Sequence, residues 1–66
     1  MKTLKELRME NGLSIIDLAT KAGVSCGTII RIERGQPAKP VTKRKIAKAL
    51  HKRQSDIDFN LSYKLH

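Results

Sequence analysis

The 66-residue chain is predicted to fold as an all-α domain, a compact bundle of four to five short helices. Three features of the sequence indicate this class. Aliphatic side chains recur at helical intervals in four segments. A Ser or Thr that can cap a helix precedes each segment, and a Gly follows each of the first three. With one Phe, one Tyr and no Trp, the core is expected to consist of Leu, Ile, Val and Ala.

The first two helices are predicted over residues 4–11 and 15–22. Thr3 is the candidate N-cap of the first, because its hydroxyl can accept a hydrogen bond from an otherwise unpaired backbone N–H. Ser14 is the candidate N-cap of the second, and Asp17 three residues later gives a sequence close to a capping box. Both helices are therefore expected to begin at defined positions.

The third helix is predicted over residues 26–34, with Ser25 as its N-cap. Residues 36–40 contain two prolines, which cannot continue a helix, so this segment is predicted to be a basic loop. The fourth helix is predicted over residues 42–51, with Thr42 as its candidate cap.

The chain is predicted to comprise a helical domain at residues 1–58 and a C-terminal tail at residues 59–66. A short turn of helix is predicted around Ile57. The tail then alternates apolar and polar residues, a pattern typical of a strand, and no other convincing strand is evident. The tail is interpreted either as a strand that pairs across a homodimer or as a tail that docks on the helices. The dimerisation candidates are Phe59, Leu61, Tyr63 and Leu65.

The charge is strongly positive, with 14 Lys and Arg against 6 Asp and Glu, a net charge of +8. Residues 35–54 contain no acidic side chain. A basic segment of this kind suits a polyanion, so double-stranded DNA is the leading partner. The alternative is a solvated basic face with no ligand.

Several classes of protein are disfavoured. No apolar run is long enough to span a membrane and no secretory signal is evident, so the protein is expected to be intracellular. The single Cys26 cannot form an internal disulfide and lacks partners for a zinc site. The sequence contains no catalytic constellation and no phosphate-binding glycine loop, so neither an enzyme nor a cofactor is expected.

The second and third helices are joined by the short link Gly23-Val24-Ser25. Glycine adopts positive φ at little cost, and such a turn sets the third helix at a steep angle to the second. This is the geometry of a helix-turn-helix, in which the N-terminal end of the third helix enters the major groove. The side chains expected to project are those of Cys26, Gly27, Thr28 and Arg31.

The run L-S-I-I-D-L-A-T-K-A-G-V-S-C-G-T-I-I-R-I-E-R-G resembles the helix-turn-helix of the Cro and phage-repressor (XRE-like) proteins. The likeness extends over about residues 4–58, with L-K-E-L-R of the first helix and I-A-K-A-L of the fourth in register. It implies a lambda-repressor-like domain of five helices that binds operator DNA as a two-fold dimer and regulates transcription, most often as a repressor.

The resemblance also implies roles for individual residues. Arg31 would be the main base reader, since arginine can bond guanine through two parallel hydrogen bonds; a phosphate contact is the alternative for it. Arg8 and Glu33 would form a partly buried ion pair. The base-reading candidates are Cys26, Gly27, Thr28 and Arg31, and the phosphate-contact candidates are Ile15, Ser25, Arg34, Lys39, Thr42, Lys43 and Arg44.

Three positions depart from the family pattern. Ile15 stands where the family favours a glutamine, so only its backbone amide could contact phosphate. Cys26 and Gly27 stand where base-reading side chains are common, and neither offers a strong hydrogen-bonding group. Direct readout is therefore expected to be sparse, with part of the specificity coming from DNA shape.

The sequence is also compatible with other functions of the same fold. An antitoxin or a restriction-system controller would bind a partner protein, such as a toxin, as well as DNA. RNA binding is disfavoured, because two aromatic residues are too few for a stacking surface. Cys26, at the start of a helix, could also make DNA binding sensitive to oxidation.

Overall fold

A computed structural model describes residues 2–59, and it confirms the predicted all-helical bundle. A 3₁₀ turn and two very short strands accompany the helices. The elements are β1 (Lys2–Thr3), α1 (Leu4–Glu10), α2 (Ile15–Ala22), α3 (Cys26–Glu33), α4 (Pro40–Ala49), the 3₁₀ turn Gln54–Asp56 and β2 (Ile57–Asp58). No helix within these residues is long and apolar enough to cross a membrane.

The first two helices begin with complete capping boxes. Ser14 Oγ accepts from the backbone N–H of Asp17 at 3.0 Å, and the Asp17 carboxylate accepts from the backbone N–H of Ser14 at 3.1 Å. Thr3 and Glu6 form the same reciprocal pair at the start of α1. Because each pair satisfies two backbone groups at a helix end, the start of the helix is fixed. The predicted bounds of α2 are confirmed, and α1 ends one residue earlier than predicted.

The predicted start of α4 is wrong. The helix begins at Pro40, two residues before the predicted start, and Thr42 lies inside it and does not cap it. Pro40 occupies the first helical turn, where proline is tolerated because its missing N–H would have no partner within the helix. Lys39 is the N-cap residue, and its side chain makes no capping hydrogen bond. The proline therefore starts α4 and does not belong to the loop.

The two ends of the described chain pair with each other. β1 and β2 are parallel, with Lys2 opposite Ile57 and Thr3 opposite Asp58. Two expectations are corrected here: the turn of helix expected around Ile57 lies at Gln54–Asp56, with Ile57 itself in a strand, and strands do exist outside the tail, since β1 and β2 both lie there. Strands of two residues are too short to produce an alternating pattern, which is why the sequence did not indicate them.

The core is formed mainly by aliphatic side chains. Leu18 of α2, Ile29 of α3 and Ile46 of α4 have no measurable exposure, so these three helices meet at one centre. Phe59 joins this core and is only 7% exposed, which is the docked arrangement that was the alternative to dimerisation for this residue. The other dimerisation candidates, Leu61, Tyr63 and Leu65, lie outside the described residues.

Candidate nucleic-acid interface

The link between α2 and α3 holds the two helices as a unit. Gly23 has φ +73°, a left-handed conformation that glycine adopts without steric cost. The next N–H, of Val24, donates to the carbonyl of Ala19 at 3.0 Å and closes the end of α2. The Val24 side chain packs against the core, and Ser25 then caps α3 through its hydroxyl. The direction in which α3 leaves the turn is therefore fixed by both backbone and side-chain contacts.

The α3 helix has an inward and an outward face. Ile29 and Ile32 point inward and are buried. Gly27 and Arg31 are four residues apart, hence on one side of the helix, and both are exposed. The outward face therefore presents a long cation beside a position that has no side chain.

The four predicted base readers differ in their solvent exposure. Gly27 and Arg31 are exposed, whereas Cys26 and Thr28 are half-buried. Cys26 packs against the core, which takes its thiol partly away from solvent. The hydroxyl oxygens of Thr28 and Ser25 lie 2.9 Å apart in a mutual hydrogen bond. Arg31 is thus the predicted reader with the longest free side chain.

One flank of α3 faces the loop that leads to α4. Here Arg31 and Thr28 share a groove of about 250 Å³ with Lys39 and Thr42, two of the predicted phosphate contacts. Pro37 and Ala38 supply the loop side of this groove. We call this surface the α4 flank. It brings two cations and two hydroxyl-bearing residues together, which is chemistry that suits phosphate oxygens.

The opposite flank of α3 faces α1 and the beginning of α2. A groove of about 370 Å³ is lined there by Lys5, Ile15, Ile30, Glu33 and Arg34. We call this surface the α2 flank. Ile15 and Arg34 were predicted as phosphate contacts, whereas Lys5 and Ile30 were not singled out. The position of Ile30, three residues after Gly27 on the same helix, was the available signal.

Lys43 and Arg44 line neither of these two grooves. The Lys43 ammonium lies 5.7 Å from the centre of the Phe59 ring, a cation–π distance that directs the half-buried side chain toward the C-terminal part of the core. Arg44 is exposed on α4. The structure thus brings Thr28, Arg31, Lys39 and Thr42 together on one flank, and Lys43 is not part of that groove.

Arg8 and Glu33 form the ion pair that the resemblance implies. Arg8 Nε donates to Glu33 Oε2 at 2.7 Å and Nη2 donates to Oε1 at 3.2 Å, while Nη1 donates to the carbonyl of Leu13 at 2.9 Å. The two side chains are only 11% and 9% exposed. The hydrogen bonds to Glu33 raise the pKa of Arg8 above its ordinary value. The pair ties α1 to the end of α3 and balances the charge of Glu33, which lines the α2 flank.

The charges around α3 favour an anionic ligand. Residues 34–55 contain no acidic side chain, and the Glu33 carboxylate is already paired. Within residues 2–59 no group of three or more His, Cys, Asp or Glu side chains could hold a metal ion. What the surface offers is cations, hydroxyls and an exposed helix face.

Comparison with known protein families gives one result. The family model described as helix-turn-helix matches residues 4–53, about three quarters of the chain and all four α-helices. Neither the curated proteins nor the solved structures that were searched include a match.

Proposed function

Because the chain belongs to the helix-turn-helix family of DNA-binding transcription regulators, we propose that it is a repressor that binds a pseudo-palindromic operator as a homodimer in the cytoplasm. The observation that carries the proposal is the outward face of α3. Arg31 is exposed there, beside Gly27, on the helix that follows the turn. In this class of motif that helix enters the major groove.

Arg31 is assigned as the main base reader. Its guanidinium is exposed and can donate two parallel hydrogen bonds to O6 and N7 of a guanine. Apart from its chain neighbours and its own helix backbone, the one atom of residues 2–59 within 4 Å of a Cβ added at Gly27 would be Ser25 Oγ, at 3.9 Å, so the space in front of this position is open there. The backbone of α3 can therefore approach the base edges closely, which brings Arg31 within reach of them. Thr28 and Cys26 would contribute shorter contacts.

The two flanks would hold the phosphates on either side of α3. On the α4 flank, Lys39 and Thr42 lie in one groove with Arg31. On the α2 flank, Arg34 shares a groove with Ile15, whose backbone amide belongs to the positive N-terminal end of α2. Phosphate contacts on both sides fix the position of the helix without reading sequence. Ser25 and Arg44 would add further phosphate contacts, whereas Lys43, whose ammonium lies near the Phe59 ring, is left out of the proposed set.

The homodimer is proposed because an eight-residue helix reads only a short half-site, and two-fold pairing doubles the contact surface. Phe59 is engaged in the core, so Leu61, Tyr63 and Leu65 remain the candidates for the dimer contact.

The proposed function is tested by selection from random double-stranded DNA with the wild type, Arg31→Ala and Lys52→Ala. Lys52 is exposed and lies outside both flanks, so its variant controls for the loss of one positive charge. We expect an inverted repeat with half-sites about one helical turn apart. Arg31→Ala should relax it at one position, and Lys52→Ala should leave it unchanged.

Binding without any enriched sequence would contradict operator recognition. It would favour the antitoxin or controller function, in which a partner protein is the main ligand. Enrichment of a single half-site without a repeat would contradict the homodimer alone. A reporter gene placed behind the enriched sequence then decides between repression and activation, and we expect lower expression when the protein is present.

A further inference from the structure

The outward half of α3 carries a large apolar side chain that the proposed contacts do not use. Ile30 is 37% exposed, although isoleucine is usually buried. A single exposed isoleucine is common on protein surfaces, but Ile30 is not isolated. It lines the α2-flank groove together with Ile15, and Arg34 lines the same groove.

The charges around this groove suit DNA better than a second copy of the chain. Lys5 and Arg34 are exposed cations, and Glu33, the acidic residue of the lining, has its carboxylate bonded to Arg8. The apolar surface of Ile15 and Ile30 lies in the same groove as the cations Lys5 and Arg34, and this combination fits a ligand that has a methyl group next to phosphates. A second copy with a net charge of +8 would be repelled by the same cations.

We propose that Ile30 reads a thymine of the half-site by packing against its C5 methyl group, an inference that rests on the proposed function. In the major groove this methyl group distinguishes thymine from the other three bases, which present only polar groups or an unsubstituted edge. Ile30 follows Gly27 by three residues and precedes Arg34 by four, so all three are neighbours on the helix surface. Ile30 therefore contacts the thymine while Arg34 contacts an adjacent phosphate.

The experiment uses the duplex enriched in the selection. Each thymine of the half-site is replaced in turn by deoxyuridine, which removes the methyl group and leaves base pairing intact. Affinities are measured for the wild-type 66-residue chain, Ile30→Ala and Val41→Ala. Val41 is 50% exposed on α4 and lines neither flank, so it is the matched control for the loss of an exposed apolar side chain.

We expect one deoxyuridine substitution to weaken wild-type binding about fourfold, the effect of one buried methyl group. The same substitution should change the affinity of Ile30→Ala by less than about 1.5-fold and that of Val41→Ala by the full factor of about four. A cooperative thermal unfolding transition is the control that each variant is folded.

Three results would overturn the assignment of Ile30. The first is that no deoxyuridine position matters to the wild type. The second is that the sensitive position stays sensitive in Ile30→Ala, which would assign the methyl contact to another residue. The third is that Ile30→Ala changes only the oligomeric state, which would make the α2 flank a protein interface. A selection that enriches no duplex would instead overturn the proposed function, and this inference with it.

Discussion

The inward and outward faces of α3 differ in what holds their side chains in place. Ile29 is fully buried and Ile32 is 5% exposed, so both are surrounded by atoms of the other helices. On the outward face Gly27 has no side chain, and Arg31 extends into solvent. Packing therefore constrains the inward residues to one size and shape, whereas nothing in the fold dictates the outward ones.

This difference suggests that stability and base preference are separable within the eight residues of α3. Substitutions on the inward face should lower the free energy of unfolding without changing which base is preferred. Substitutions on the outward face should do the opposite.

The largest effect is expected for Ile29→Ala. Ile29 has no exposed surface, so the substitution leaves a cavity and should lower the free energy of unfolding by about 2–5 kcal/mol. Ile30→Ala, one residue later on the same helix, should cost less than about 1 kcal/mol, because Ile30 already contacts water. Urea denaturation measures both. Equal losses for the two variants would show that α3 does not have two distinct faces.

The next effect concerns Arg8 and Glu33, which join α3 to α1 at the border of the outward face. Arg8→Ala or Glu33→Ala alone should cost about 3 kcal/mol, because each leaves the other charge buried without its partner. The double variant should cost less than the sum, with a coupling energy of about 1–3 kcal/mol.

DNA binding by the same variants tests whether the Arg8–Glu33 pair also affects base preference. At temperatures where all the variants are folded, they should prefer the same bases as the wild type, since the two side chains bond each other and neither is assigned a base contact. Additive losses would indicate that the two residues act independently. A changed base preference in Glu33→Ala would indicate that the pair orients the outward face.

A smaller effect is expected for Lys39→Ala on the α4 flank. Lys39 is exposed, so stability should change by less than about 0.5 kcal/mol. If Lys39 contacts a phosphate, the slope of log affinity against log salt should fall in magnitude by about 0.9, with the same base preference. Lys52→Ala is the control and should leave the slope unchanged. The same change of slope in both variants would mean that net charge alone sets the affinity.

The smallest effect concerns the helix ends, which belong to neither face. A hydrogen bond from the backbone N–H of Ser14 lowers the pKa of Asp17, and one from Thr3 lowers the pKa of Glu6. The pKa of each carboxyl group is lower in the folded state than in the unfolded state. The ionised carboxylates therefore stabilise the fold at pH values above their unfolded-state pKa, and this stabilisation is lost as the pH falls through their folded-state pKa. The melting temperature should therefore decrease when the pH is lowered below about 4.

Asp17→Asn should make this acid loss shallower, because the amide still accepts the hydrogen bond but does not titrate. The measurement is the melting temperature of both proteins between pH 3 and pH 7. Identical profiles would show that the capping box of α2 does not contribute to the pH dependence. DNA preference at pH 7 should be the same for both.

The sequence predicted well those parts of the fold that are fixed by local hydrogen bonds. The predicted and observed bounds of α2 agree, because Ser14, Asp17 and Gly23 define both of its ends. The start of α4 could not be placed correctly, since Pro40 is compatible with a loop as well as with the first turn of a helix. The pairing of β1 with β2 was missed because these strands have only two residues each.

The candidate site could be predicted only in part, for a related reason. The turn and the capping residues determine where α3 begins, so the outward position of Arg31 followed from helical spacing. Which cations share a groove depends on how α4 and the loop pack, and spacing does not report it. Lys43 is the clearest case, because its position near the Phe59 ring depends on a residue 16 positions later in the chain.

The most direct test of the separation is a matrix of affinities. Wild type, Arg31→Ala and Lys39→Ala are each titrated against the selected operator and every single-base change in one half-site, at one salt concentration. We predict that Arg31→Ala loses about 1–3 kcal/mol of discrimination at one base pair and that Lys39→Ala weakens all duplexes by the same factor. Uniform weakening by Arg31→Ala as well would contradict the account, because Arg31 would then contact phosphate and the outward face of α3 would not set base preference.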